Sequence, residues 1–241
     1  MMKSYKQILL LFLAGAFVAN AEWDNNVPVP GKRPEYAIGS MKNGIDFHIV
    51  YDLMCSDSAA LDPAFQSFLN STWNVTNTKV INEVLISYTF LPLPYHHEVW
   101  IPHLLVPFFL DNCEFGPNPC QFLDYMQYCF ANQDMILDAK SMSENQIIQA
   151  WTGNVSAGLK LNQTDLLNVY SSKTDGARQS EWRTRVMYKY NTHHHASGTP
   201  FAYVNGILME NFPSTVNEWF DVLNTVYNSQ YRPPKIAATE L

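Results

Sequence analysis

The chain has 241 residues, 47% of them apolar, with 22 Asp and Glu against 15 Lys and Arg for a formal charge of −7. That much apolar side chain excludes a disordered chain and suffices for one substantial core, or for a core carrying a large insertion. The acidic balance argues against a nucleic-acid or anionic-membrane partner.

Lys3 and Lys6, the apolar run Ile8–Val18 and the small residues Ala19-Asn20-Ala21 read as a cleaved secretory signal over 1–21. No later segment is continuously apolar for the roughly 20 residues of a membrane helix, so no membrane association is expected after cleavage. Losing two lysines takes the charge from −7 to −9. Four sequons, at Asn70, Asn74, Asn154 and Asn162, are candidate glycosylation sites and agree with a secretory route. Three final compartments are open: the endoplasmic reticulum lumen, a lysosome-like compartment, or the outside. Residues 22–40, proline-rich and poor in apolar side chains at their start, read as an extended leader, with the fold beginning near Tyr36.

Phe47, Ile49 and Val50 favour a strand that runs into Cys55, after which Ser56-Asp57-Ser58 supplies cap-type residues and Ala59-Ala60-Leu61 good helix formers. Ser56 or Asp57 is the expected cap, and Pro63 a kink or restart in a helix that fades by Asn70. A thiol at such a junction sits at the positive end of a helix, which stabilises the thiolate a nucleophile needs. A small buried core side chain is the other reading of Cys55. A second strand is expected over Val80–Leu91 with Leu85–Leu91 at its centre, ended by Pro92 and Pro94. Tyr95-His96-His97 follows it.

From Glu98 to about Tyr190 apolar residues recur at helical spacing, interrupted by a Gly/Pro loop over Asn112–Pro119, with helix starts at Ser141 or Ser143 and at Thr164-Asp165. Ser180–Tyr190 reads as a half-buried helix whose Arg183, Arg185 and Lys189 need no ligand. Asn205-Gly206 between Phe201–Val204 and Ile207–Met209 predicts a hairpin. Pro213-Ser214-Thr215 opens a final helix carrying Val216, Trp219, Phe220, Leu223 and Val226 on one face. His193-His194-His195, His96, His97 and His103 invite a metal, but consecutive loop histidines cannot easily face one ion and no acidic or paired-cysteine partner accompanies them, so no metal is expected.

The order strand, helix, strand, helical block, hairpin and helix is an α/β arrangement. It resembles the DsbA-like group of the thioredoxin superfamily, particularly its plant and protist Cys-x-x-Ser members: a thioredoxin-like fold with a large inserted helical domain. Cys55-Ser56-Asp57-Ser58, Phe90-Leu91-Pro92-Leu93-Pro94-Tyr95-His96 and Gly198-Thr199-Pro200-Phe201-Ala202-Tyr203-Val204-Asn205-Gly206 carry the resemblance, which spans Ile45 to Val226. It implies a first core part over 41–97, an insertion over 98–192, a second core part over 193–230 and a tail over 231–241. It also implies a cis Thr199-Pro200 bond beside Cys55 whose backbone pairs with an extended substrate.

The redox-active relatives carry Cys-x-x-Cys; here Ser58 occupies the place of the resolving thiol and cannot form a disulfide. A lumenal or secreted monothiol oxidoreductase or isomerase is therefore expected. It would act through Cys55 on protein or glutathione mixed disulfides, with no cofactor, glutathione as a co-substrate and thiol- or disulfide-containing proteins as clients. The alternative is a redox-silent thioredoxin-fold protein that binds peptides or partner proteins. Cys113 and Cys120 bracket a turn-rich loop and form the expected disulfide. Three roles remain open for Cys129: buried, free, or a distant resolving thiol. Cys113-x-x-Gly116-x-x-x-Cys120 is also similar, more distantly, to a Cys-Gln-His-Gly segment of the lysosomal thiol reductases, with Phe115 in place of histidine. His96, after the second strand of a parallel pair, falls where ligand sites gather and is a candidate to stabilise the thiolate or handle its proton. Asp52 would oppose the thiolate unless it points into the turn.

Overall fold

The computed structural model describes residues 34–116, 119–171 and 175–231. The expected signal over 1–21, the part of the expected leader up to residue 33 and the expected tail from residue 232 on lie outside them. The last residues of the segment expected to be an extended leader, Tyr36–Gly39, form strand β1. Gly39 ends it at φ +90°, and a Cβ there would lie 2.2 Å from Val84 O, so only glycine allows the close approach.

Strand β2, Asp46–Tyr51, is central, with Phe47, Ile49, Val50 and Tyr51 wholly buried, as a strand covered on both faces requires. Helix α1 spans Ser56–Asn70. Its cap is Cys55 and not Ser56 or Asp57, because Cys55 keeps an extended backbone (φ −85°, ψ 123°) while Ser56 is already helical. The helix runs through Pro63, which lies exposed on its surface. A small hairpin of β3 (Thr72–Trp73) and β4 (Thr78–Lys79) follows, then a 3₁₀ turn over Val80–Asn82. Strand β5 is Leu85–Phe90. It starts five residues later than the sequence suggests, since Val84 N–H turns back to Val80 O at 3.2 Å and both valines are buried from a turn rather than a strand.

The helical block consists, among the described residues, of α2 (Trp100–Leu104), α3 (Val106–Phe115), α4 (Phe122–Ala131), α5 (Asp134–Leu137), α6 (Glu144–Leu159), α7 (Gln163–Asn168) and α8 (Asp175–His193). Helix α3 reaches Phe115, so the expected loop begins at Gly116, whose N–H closes the last turn on Asn112 O at 3.1 Å. Ser143 caps α6, with Gln146 Oε1 accepting from its backbone N–H at 2.9 Å; Asn162 caps α7 by accepting from Thr164 N–H at 2.9 Å. Arg183 of α8 forms a two-pronged pair with Asp111, at 2.7 and 2.8 Å.

Strands β6 (Phe201–Val204) and β7 (Ile207–Leu208) are joined by Asn205 and Gly206 at φ 49° and 78°, the positive pair of a type I′ turn. Helix α9, Val216–Tyr231, closes the described chain. The sheet order is β1-β5-β2-β6-β7, with β2 and β5 parallel and the other pairs antiparallel. Trp219 and Leu223 of α9, Phe65 and Phe68 of α1, and Phe47 pack on one face. Phe122 of α4 stacks on Tyr36 at 4.1 Å and meets Phe90 at 5.8 Å, so one apolar core runs from sheet into helical block.

Candidate active site

Register delivers the site. Val50 pairs with Phe201 across the antiparallel β2–β6 ladder, so the residues before Phe201 lie beside the C-terminal end of β2, which leads to Cys55. Thr199-Pro200 is cis, and the Cys55 thiol donates to Thr199 O at 3.4 Å. Cys55 is 6% exposed at the N-terminus of α1. Its position places the sulfur beside the unpaired N–H groups of a helix N-terminus, which stabilise an anion.

The parallel β2–β5 ladder brings in the second loop. Tyr51 pairs with Phe90, Leu91 N–H donates to Tyr51 O at 2.8 Å, and the chain from Leu93 to His96 then lies against the Asp52–Cys55 turn. Asp52 is wholly buried and does point into that turn: Oδ1 accepts from Met54 N–H at 2.8 Å, while Oδ2 accepts from Leu93 N–H at 3.0 Å and from His96 Nδ1 at 2.6 Å. Asp52 N–H in turn donates to Ser58 Oγ at 3.4 Å, with Ser58 wholly buried behind Cys55 on the first turn of α1. His103, 3.5 Å from Asp52, does not compete with His96. Its Nδ1–H donates to Val99 O at 2.7 Å, its Nε2 accepts from Leu53 N–H at 3.2 Å, and burial lowers its pKa, so it is neutral. Tyr95, 73% exposed, is propped against His96 with ring centres 4.8 Å apart.

Two participants were not legible beforehand. Gln133, just before α5, donates from Nε2 to Leu53 O at 3.1 Å and to Cys55 O at 2.9 Å, tying the helical block to the turn that carries the thiol. Asp52 was visible only as a nearby charge; that it also gathers Leu93 and His96 depends on contacts about forty residues apart. The remaining cysteines divide clearly. Cys113 and Cys120 form the expected disulfide. Cys129 carries a free thiol wholly buried in α4, and burial pushes its pKa well up, which makes it a poor nucleophile. His193, His194 and His195 are exposed at the end of α8, and no group of three or more metal-binding side chains gathers among the described residues. Asn70, Asn74, Asn154 and Asn162 are all exposed.

No protein-family model and no curated protein matches the chain. Solved structures do. BdbD of Bacillus subtilis is 14% identical with a TM-score of 0.56, covering 81% of this chain and 94% of its own. Wolbachia pipientis alpha-DsbA1 is 12% identical with a TM-score of 0.58, covering 84% and 94%. The thiol-disulfide exchange protein alpha-DsbA2 of the same organism is 14% identical with a TM-score of 0.51, covering 79% and 86%. The chain therefore has the DsbA-like thioredoxin fold, an α/β sheet interrupted by a helical block.

Proposed function

We propose that the protein is a thiol-disulfide oxidoreductase or isomerase of the secretory pathway that uses Cys55 as a single nucleophile. The observation that carries this reading is the Cys55 thiol at a helix N-terminus, 3.4 Å from the carbonyl that precedes a cis proline, with a buried hydroxyl at Ser58. The similarity to alpha-DsbA2, a thiol-disulfide exchange protein, supports it. The Cys113–Cys120 disulfide and four exposed sequons support an oxidising, glycosylating compartment.

The Cys55 thiolate attacks one sulfur of a client disulfide, forming a mixed disulfide and releasing the other sulfur as a thiolate. The client strand is held by backbone pairing beside Thr199-Pro200. Ser58 cannot resolve the intermediate and Cys129 is too deeply buried to do so. Release comes from a second thiol of the client, which isomerises it without net redox change, or from glutathione, which reduces it and is itself oxidised. Low exposure of Cys55 favours a second reading, a peptide-binding protein without covalent chemistry.

Reactivation of a protein with scrambled disulfides in a glutathione buffer separates the two. The enzyme reading expects turnover that Cys55→Ala abolishes. The binding reading expects no turnover and client affinity that survives that substitution.

A further inference from the structure

We propose that Tyr95 and Asp57 are specificity-determining residues that select clients carrying a lysine or arginine beside the cysteine under attack. The inference rests on the thiol-disulfide reading above and deepens it by naming the substrate class. Leu93-Pro94-Tyr95-His96 is a tight turn closed by His96 N–H, which donates to Leu93 O at 3.1 Å, with Pro94 at the position that its fixed φ suits. Both ends of that turn are fastened to one atom, Asp52 Oδ2, which accepts from Leu93 N–H at 3.0 Å and from His96 Nδ1 at 2.6 Å. Asp52 also closes the turn that carries the thiol: Cys55 N–H donates to its backbone oxygen at 3.1 Å and Met54 N–H to Oδ1 at 2.8 Å. The two turns are thus locked together through one residue, and the tip of the second presents the Tyr95 ring to solvent. A ring held by so constrained a turn loses little freedom when a ligand stacks on it.

The charge around that ring has one sign. Asp57 is exposed on the first turn of α1, two residues past the thiol. Partial burial, and then the negative charge of Cys55, Asp52 and Asp57, raises the pKa of the Tyr95 hydroxyl, so ring, thiol and carboxylate share one electrostatic neighbourhood. Lys79 is the only lysine or arginine over 43–139, and none occurs over 190–231, so the three stretches that build the site bring almost no fixed positive charge. Lys79 itself lies at the other end of α1 from Cys55, donating to Asn70 Oδ1 at 3.4 Å. A cationic side chain beside the client cysteine can lie over the Tyr95 ring while it approaches the Asp57 carboxylate. Glutathione disulfide, an anion at neutral pH, gains from neither and reacts more slowly than a basic client.

The test uses the full protein and three otherwise identical peptides whose single cysteine is flanked by lysine, serine or glutamate and carries nitrothiobenzoate as a mixed disulfide. The Cys55 thiolate displaces the nitrothiobenzoate anion, whose absorbance gives the rate, and the peptide sulfur becomes bonded to Cys55. Each rate is divided by that of the same peptide with mercaptoethanol, which removes the peptide's intrinsic reactivity. The lysine peptide is expected to exceed the glutamate peptide about 10-fold at low ionic strength, with the gap closing in high salt. Asp57→Asn and Tyr95→Ala each bring that ratio down to about 3-fold, whereas Tyr95→Phe preserves it, because the ring face and not the hydroxyl receives the cation. Both side chains are exposed, so these variants keep the fold. A wild-type ratio near one, or a ratio that either Asp57→Asn or Tyr95→Ala leaves unchanged, would overturn the proposal. A wild-type protein that releases no nitrothiobenzoate from any peptide would instead overturn the thiol-disulfide reading itself.

Discussion

Ser58 decides what kind of chemistry Cys55 can complete. It is wholly buried one helical turn after the thiol, at the position from which a second thiol would close a disulfide. Ser58→Cys is expected to yield an internal disulfide between Cys55 and the introduced thiol, seen as a loss of two hydrogens by mass spectrometry, and, on the proposed mechanism, to confer oxidation of reduced clients. Gln133 makes a different prediction. Gln133→Ala leaves Leu53 O and Cys55 O without their side-chain donor, and a loss of about 1–3 kcal/mol is expected in denaturant unfolding. Cys55 was legible in the sequence because it carries a local signature, a strand running into a helix cap, whereas the place of Thr199-Pro200 beside it came from the family resemblance, since by itself that dipeptide reads as a turn before a strand. Gln133 and the gathering role of Asp52 were not legible. Nothing near a lone glutamine or aspartate in sequence reveals the distant backbone groups that it will satisfy.

Among the elements, α1 carries more than the thiol. Asp62, seven residues past Cys55 on the same helix, is wholly buried, accepting from Gln66 at 3.0 Å and from Gln127 of α4. Burial raises its pKa above the ordinary carboxyl value, outweighing the amide hydrogen bonds that lower it. A raised value in the fold means that the folded protein holds this proton more tightly than the unfolded chain. The contribution is thus fully present below about pH 4 and is lost as pH rises through the raised value. Asp62→Asn is expected to flatten that loss. Its stability relative to wild type should improve between about pH 4 and pH 7 in paired urea titrations, and an unchanged difference across that range would contradict the assignment. The elements themselves were largely legible, since hydrophobic period, caps and the Asn-Gly turn are local. Boundaries departed from expectation at Ser56, Val80 and Asn112, where they are fixed by hydrogen bonds that neighbouring residues compete to make, and at Tyr36–Gly39, a strand that pairs with β5 about fifty residues away.

At the scale of the whole molecule, the helical block is not a separate body resting on a sheet. Phe122 is 1% exposed and reaches from α4 onto Tyr36, Tyr88 and Phe90, so its loss opens the seam between block and sheet. Phe122→Ala is expected to cost about 3–5 kcal/mol, with helix content and tryptophan fluorescence falling together in one unfolding transition. Two separated transitions would show that the block folds by itself. That continuity brings Gln133 to the backbone of Leu53 and Cys55 and the Leu93–His96 loop to Asp52. The most direct measurement of the account is mass spectrometry of the protein after exposure to glutathione disulfide at neutral pH. The account predicts one added glutathione, mapped to Cys55, removable by excess reduced glutathione and absent in Cys55→Ala, with Cys129 unmodified. A Cys55 that stays a free thiol under those conditions, or that is found joined to Cys129, would contradict the single-nucleophile mechanism.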